Sequence, residues 1–106
     1  MVKRGEVWLA ALDPTVGSEI QKTRPCLIVS PAEIHDHLRT VIVAPMTSGS
    51  RPAGFRVPVT FQGVSGLILL EQSRALDKQR LVKRLGSVSG SVLKQTLKTL
   101  RELYEE

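Results

Sequence analysis

Pro25-Cys26-Leu27-Ile28-Val29-Ser30-Pro31-Ala32-Glu33 is an uncharged, mostly apolar run that hands over to a helix start. A short continuous apolar stretch bounded by turn residues reads as a strand buried in a core. Ser30 then offers a cap, Pro31 suits the first helical position, and Glu33 can complete a capping box. Before this run, Val16 to Thr23 is too rich in Gly, Ser, Gln and Lys to be core. Earlier still, Glu6 to Leu12 is short and β-prone, closed by the turn residues Asp13-Pro14-Thr15.

Beyond the run, the helix is expected to be short, ending before a strand from Thr40 to Pro45. Thr47 to Gly54 reads as a loop containing Gly49, Pro52 and Gly54. Phe55 to Phe61 and Gly66 to Glu71 read as strands, with Leu81 to Gly86 a further candidate. At Ser89 the period changes: Val92, Leu93, Leu97, Leu100, Leu103 and Tyr104 recur at helical spacing, with Lys94, Lys98 and Arg101 on the other side. The expected fold is α+β but mostly β. It is a curled antiparallel sheet or SH3-like barrel, with a short helix after the second strand and a C-terminal helix. With 106 residues there is room for one domain, residues 1–106, and one core.

A hydrophobic content of 42% with 24% charged residues argues for a packed domain and against disorder. Aromatic residues are only 4%, too few for a base-stacking platform, so any RNA contact must lean on charge and hydrogen bonds. A net charge of +5 favours a polyanionic partner, although solubility alone makes many domains basic. Cys26, the one cysteine, lies in the apolar run and reads as a core thiol that can form neither an intrachain disulfide nor a cysteine metal cluster. The N-terminus is charged at once, and no segment approaches the ~20 apolar residues a membrane helix needs. The expected location is the cytoplasm, with no membrane association.

Residues 4–31 carry Arg4-Gly5-Glu6, Asp13-Pro14-Thr15, Gly17-Ser18-Glu19 and Arg24-Pro25 ahead of the buried strand. Val43-Ala44-Pro45-Met46-Thr47-Ser48, Leu69-Leu70-Glu71-Gln72 and Arg74-Ala75-Leu76-Asp77-Lys78-Gln79-Arg80-Leu81 follow. In this order and spacing, over nearly the whole chain, these motifs resemble the MazF/PemK toxins. The resemblance implies a CcdB/PemK-like fold, a homodimer, and metal-independent, sequence-selective cleavage of single-stranded RNA by attack of the ribose 2′-hydroxyl. It also implies a cognate antitoxin with a flexible acidic segment that occupies the RNA groove, and no cofactor.

Such cleavage needs a base near the 2′-hydroxyl, an acid near the leaving 5′-oxygen, and donors around the phosphorus. Arg24 matches the family's catalytic arginine, and its forked guanidinium can hold two phosphate oxygens. Without that match it would read as a surface arginine beside a strand. Thr47 matches the family's second site, where a hydroxyl can donate to a non-bridging oxygen with help from the amides of Ser48 and Gly49. Glu71 is the candidate base, at the end of an apolar run whose burial would raise its pKa. A plain structural carboxylate is the equal alternative. Relatives often carry Asp-Gln where this chain has Glu71-Gln72. Some have an arginine where Leu69 stands and a histidine where Ser18 stands, so neither group serves here.

RNA contacts are expected from Ser18, Glu19, Gln21 and Lys22, and from Ser48, Arg56 and Gln72. Lys78 and Arg80, with Lys83 and Arg84, form the densest basic cluster. A solvated face is its ordinary meaning, and a phosphate track is the functional one. His35 and His37 point to different sides of a short helix and make neither a ribonuclease pair nor a metal site. Two rivals are a CcdB-like inhibitor of DNA gyrase and a basic RNA-binding module without catalysis.

Overall fold

The structure, a computed structural model, describes residues 1–13, 16, 17, 19 and 22–106. Seven strands and two α-helices follow one another as β1 (Glu6–Ala11), β2 (Thr23–Ile28), α1 (Ala32–His35), β3 (Thr40–Thr47), β4 (Arg56–Phe61), β5 (Val64–Leu69), β6 (Arg74–Asp77), β7 (Leu81–Ser87) and α2 (Gly90–Leu103). Single 3-10 turns, Leu70–Gln72 and Lys78–Arg80, flank β6. Every strand pairing is antiparallel, in the order β4-β5-β3-β2-β1-β7, with β6 pairing β3.

β3 is the hinge of this curled sheet. One of its edges is shared: Thr40 to Val43 pair with β6, and Met46 and Thr47 pair with β5. Its other edge pairs β2 through Cys26↔Pro45, Leu27↔Ala44 and Ile28↔Val43. Both central strands are buried on both faces, which is why they read as unbroken apolar runs rather than alternating ones. Leu27, Ala44 and Met46 join one core cluster with Val57, Val59 and Ile68. Cys26, Ile28, Val41 and Val43 join the other, with Leu12 and Leu76. Burial pushes the Cys26 thiol up to about 12, against a smaller opposing pull from the Arg74 charge.

The expected α+β, mostly β architecture with its two helices is the one found, with three local differences. The helix after β2 starts at Ala32, one residue later than expected, and Ser30 does not cap it: Pro31 occupies the cap position without a side-chain bond. The Ser30 hydroxyl instead accepts the Ile42 N–H at 3.1 Å and lies 3.0 Å from His35 Nδ1. His35 is buried and His37 exposed, so they do face different ways. Second, β6 was not expected. Third, the residues α2 buries most deeply are Thr96 and Thr99, while Leu103 and Tyr104 stay exposed. The helix packs through Val92 and Leu100 on the first cluster and is capped by Ser89, which accepts the Val92 N–H. No described helix is long and apolar enough to cross a membrane.

Candidate active site

Arg24 and Thr47 come together through register. The last β2–β3 pair is Cys26↔Pro45, and Arg24 and Thr47 each lie two residues beyond it on their own strands. Both are half-buried and both line one cavity of about 260 Å³ at the end of the sheet. Its walls are Met46, Val59, Phe61 and Leu67, and its mouth carries Ser48 and Gln62. The Thr47 hydroxyl accepts the Gly49 N–H at 3.2 Å. A hydroxyl has one hydrogen and two acceptor sites, so this bond orients the group and leaves its hydrogen to donate. The Gly49 amide, expected to assist at the phosphate, is thereby engaged, whereas Ser48 stays exposed at the mouth.

Glu71 and Gln72 lie elsewhere. They line a neighbouring cavity of about 170 Å³ with Leu12, Glu19, Pro45 and Arg74. Pro45 lines this one while Met46 and Thr47 line the first, so the two cavities flank the end of β3. The burial expected of Glu71 is partial: it lies in the turn after β5 with its side chain 27% exposed. It is held by Arg56, whose Nε and Nη2 donate to Oε2 at 2.9 and 2.5 Å, while Arg56 Nη1 donates to the Arg51 carbonyl. Arg56 also stands 5.7 Å over the Phe55 ring.

Ser18 and Gln21 lie outside the described residues. Glu19 accepts the Val16 N–H at 2.6 Å. Lys22 has a left-handed backbone, φ 69°, and locks the foot of the β1–β2 connection. Its N–H donates to Asp13 Oδ1, and its carbonyl accepts the Leu12 N–H, each at 2.9 Å.

The basic cluster is mostly structural. Arg80 donates to the Ala11 carbonyl at 3.2 Å and to that of Asp13, and Arg74 donates to the Leu12 carbonyl at 3.2 Å. Two guanidinium groups thus pin the start of the same connection whose far end Lys22 closes. Lys78 donates to the His35 carbonyl, and Arg84 donates to Glu6 at 2.7 Å. The expected phosphate track at Lys78 and Arg80 therefore has its donors turned to backbone carbonyls; Lys83 and Arg84 are the exposed members. Nothing near Arg74 in the chain needs a donor, so the sequence does not mark this role.

The family model for PemK-like, MazF-like toxins of type II toxin–antitoxin systems matches residues 3–104. The endoribonuclease PemK of Escherichia coli is 42% identical over 102 residues, covering 91% of this chain and 77% of that protein. The endoribonuclease MazF of Staphylococcus epidermidis is 38% identical over 97 residues, covering 86% of this chain and 81% of that protein. Among solved structures, MazF from Deinococcus radiodurans superposes with a TM-score of 0.85 at 28% identity, covering 96% of this chain and 94% of that one. A MazE–MazF structure from the same organism gives 0.77 at 25% identity, covering 96% and 93%. The chain belongs to the PemK-like, MazF-like toxins of type II toxin–antitoxin systems.

Proposed function

We propose that this toxin is an endoribonuclease that cuts single-stranded RNA without a metal, at the cleft shared by Arg24 and Thr47. The enzyme class rests on family membership, since the curated relatives carry that name at 36–42% identity. The shared cavity is the observation that carries the site. The 2′-hydroxyl loses its proton to a base and its oxygen bonds to phosphorus. The bond from phosphorus to the 5′-oxygen breaks, and that oxygen takes a proton. A 2′,3′-cyclic phosphate and a 5′-hydroxyl result. Arg24 stabilises charge on the non-bridging oxygens and the Thr47 hydroxyl donates to one of them. An arginine is a poor proton donor, so its role is electrostatic. In that reading Glu71 is the base and takes the proton on Oε1, since both Arg56 bonds go to Oε2.

The test mixes the protein with a long single-stranded RNA in excess chelator and maps the ends. Discrete cuts ending in cyclic phosphate are expected, with Arg24→Ala slowing cleavage about a hundred- to a thousand-fold. Intact RNA would return the chain to the gyrase-inhibitor reading.

The partners follow the same reading. A MazE–MazF structure among the relatives supports a cognate antitoxin, whose acidic segment would meet Arg24 in the RNA groove. A cytoplasmic homodimer is part of the proposal. Leu97, Leu100 and Tyr104 line an open groove with Arg4, an apolar helix face that a second copy would cover. Sedimentation at micromolar concentration should show twice the chain mass.

A further inference from the structure

We infer that the cavity beside Arg24 and Thr47 is a subsite for one unpaired nucleobase flanking the cut, read at its edge by Gln62. The inference rests on the ribonuclease reading and adds to it where one base goes. A phosphate held between Arg24 and Thr47 puts the adjoining nucleoside one sugar away from a cavity that both residues line. Apart from Phe61, its walls are aliphatic: Met46, Val59 and Leu67 are buried, and Val64 is 59% exposed at the lip. In a chain so poor in aromatic residues, an aliphatic slot is the available way to shelter a base face from water.

The lip is polar where a base edge would meet it. Gln62 sits in the β4–β5 turn at φ 51° with Gly63 at φ 78°, both left-handed, as a two-residue type I′ hairpin turn requires. Its Nε2 donates to the Leu85 carbonyl at 2.9 Å, which fixes the amide's orientation. One Nε2 hydrogen and the acceptor Oε1 therefore remain at the lip, which also carries Ser48. A donor beside an acceptor matches a base edge that presents the same pair in reverse, so the fixed amide reads the base through its edge. An aliphatic side chain of a protein partner would fill the slot but leave both lip groups unpaired and desolvated, which is unfavourable. The occupant with both a flat apolar face and a polar edge is a base.

The experiment is a cycle between protein and RNA. Cut words are first mapped on a long RNA. A short RNA carrying the preferred word is then made with each base around the cut replaced, one at a time, by an abasic nucleoside. Wild type should lose at least tenfold in kcat/KM at one position. Val64→Trp, which plugs the lip from an exposed site, should lose a similar factor on the intact RNA and little more on the RNA abasic there. Gln62→Leu should flatten the base preference at that same position. Additive losses for Val64→Trp at every abasic position, or an unchanged cut word in Gln62→Leu, would overturn the subsite while leaving the ribonuclease reading intact. Failure of wild type to cut any RNA would overturn both.

Discussion

A Cβ built on Gly66 would lie 2.6 Å from the carbonyl oxygen of Thr47. β5 meets β3 here, with Leu67 paired to Thr47, so only a hydrogen on residue 66 lets the two backbones approach. The atom in the way is backbone rather than a flexible tip, so an alanine must push Thr47 aside. Gly66→Ala is expected to lower RNA cleavage by at least tenfold while destabilising the fold by about 1–3 kcal/mol. Activity and urea midpoint measured together decide it. Wild-type cleavage in the alanine variant would mean that the position of Thr47 does not matter to the reaction.

Arg74 and Arg80 act on the start of the β1–β2 connection, through the carbonyls of Ala11, Leu12 and Asp13. That assignment separates them from phosphate ligands by a readout other than activity. A lysine or arginine on phosphate contributes roughly one unit to the slope of log affinity against log salt. Arg80→Met should leave that slope for single-stranded RNA unchanged while lowering stability by about 1–2 kcal/mol. A slope shallower by a full unit would restore Arg80 to the phosphate track.

These long-range partners mark the limit of what the chain reveals by itself. Cys26 to Val29 and Val41 to Ala44 are legible because double-sided burial leaves an unbroken apolar record. β6 is not, since Arg74–Asp77 buries only Leu76 and carries a charge at each end. The purpose of Arg80 lies 69 positions away at Ala11, beyond any local pattern. Thr96 and Thr99 are invisible to an apolar count, yet each satisfies its hydroxyl on the carbonyl four residues back, at 2.8 Å, and can then be buried. For the site, motif order brings Arg24 and Thr47 to notice, and only the β2–β3 register explains why they meet.

The Arg56–Glu71 pair is partly open, at 22% and 27% side-chain exposure, so its contribution to stability is expected near 0.5–1 kcal/mol. Its effect on catalysis distinguishes two roles for Glu71. As a base, Glu71→Gln would lower kcat and abolish the acid limb of the pH–rate profile, and Arg56→Met would not reproduce this. As a holder of Arg56, both substitutions would give the same modest loss, with the acid limb retained.

Glu6 anchors the opposite end of the sheet. Burial tends to raise its carboxyl, but donors from Arg84, Trp8 and the Lys3 N–H outweigh this and hold it below the ordinary carboxylate range. A carboxyl depressed on folding contributes stability that is present above its unfolded value, about 4.3, and lost as pH falls through the lower folded value. Arg84 is 51% exposed at the side chain, which limits the expected contribution to about 1 kcal/mol. Glu6→Gln should therefore be less stable than wild type by about that amount at pH 7, with the gap closing below pH ~4. Urea midpoints at pH 7, 4 and 3 measure it. A gap as wide at pH 3 as at pH 7 would mean that the carboxylate charge contributes nothing, and that the loss comes from the altered hydrogen bonds alone.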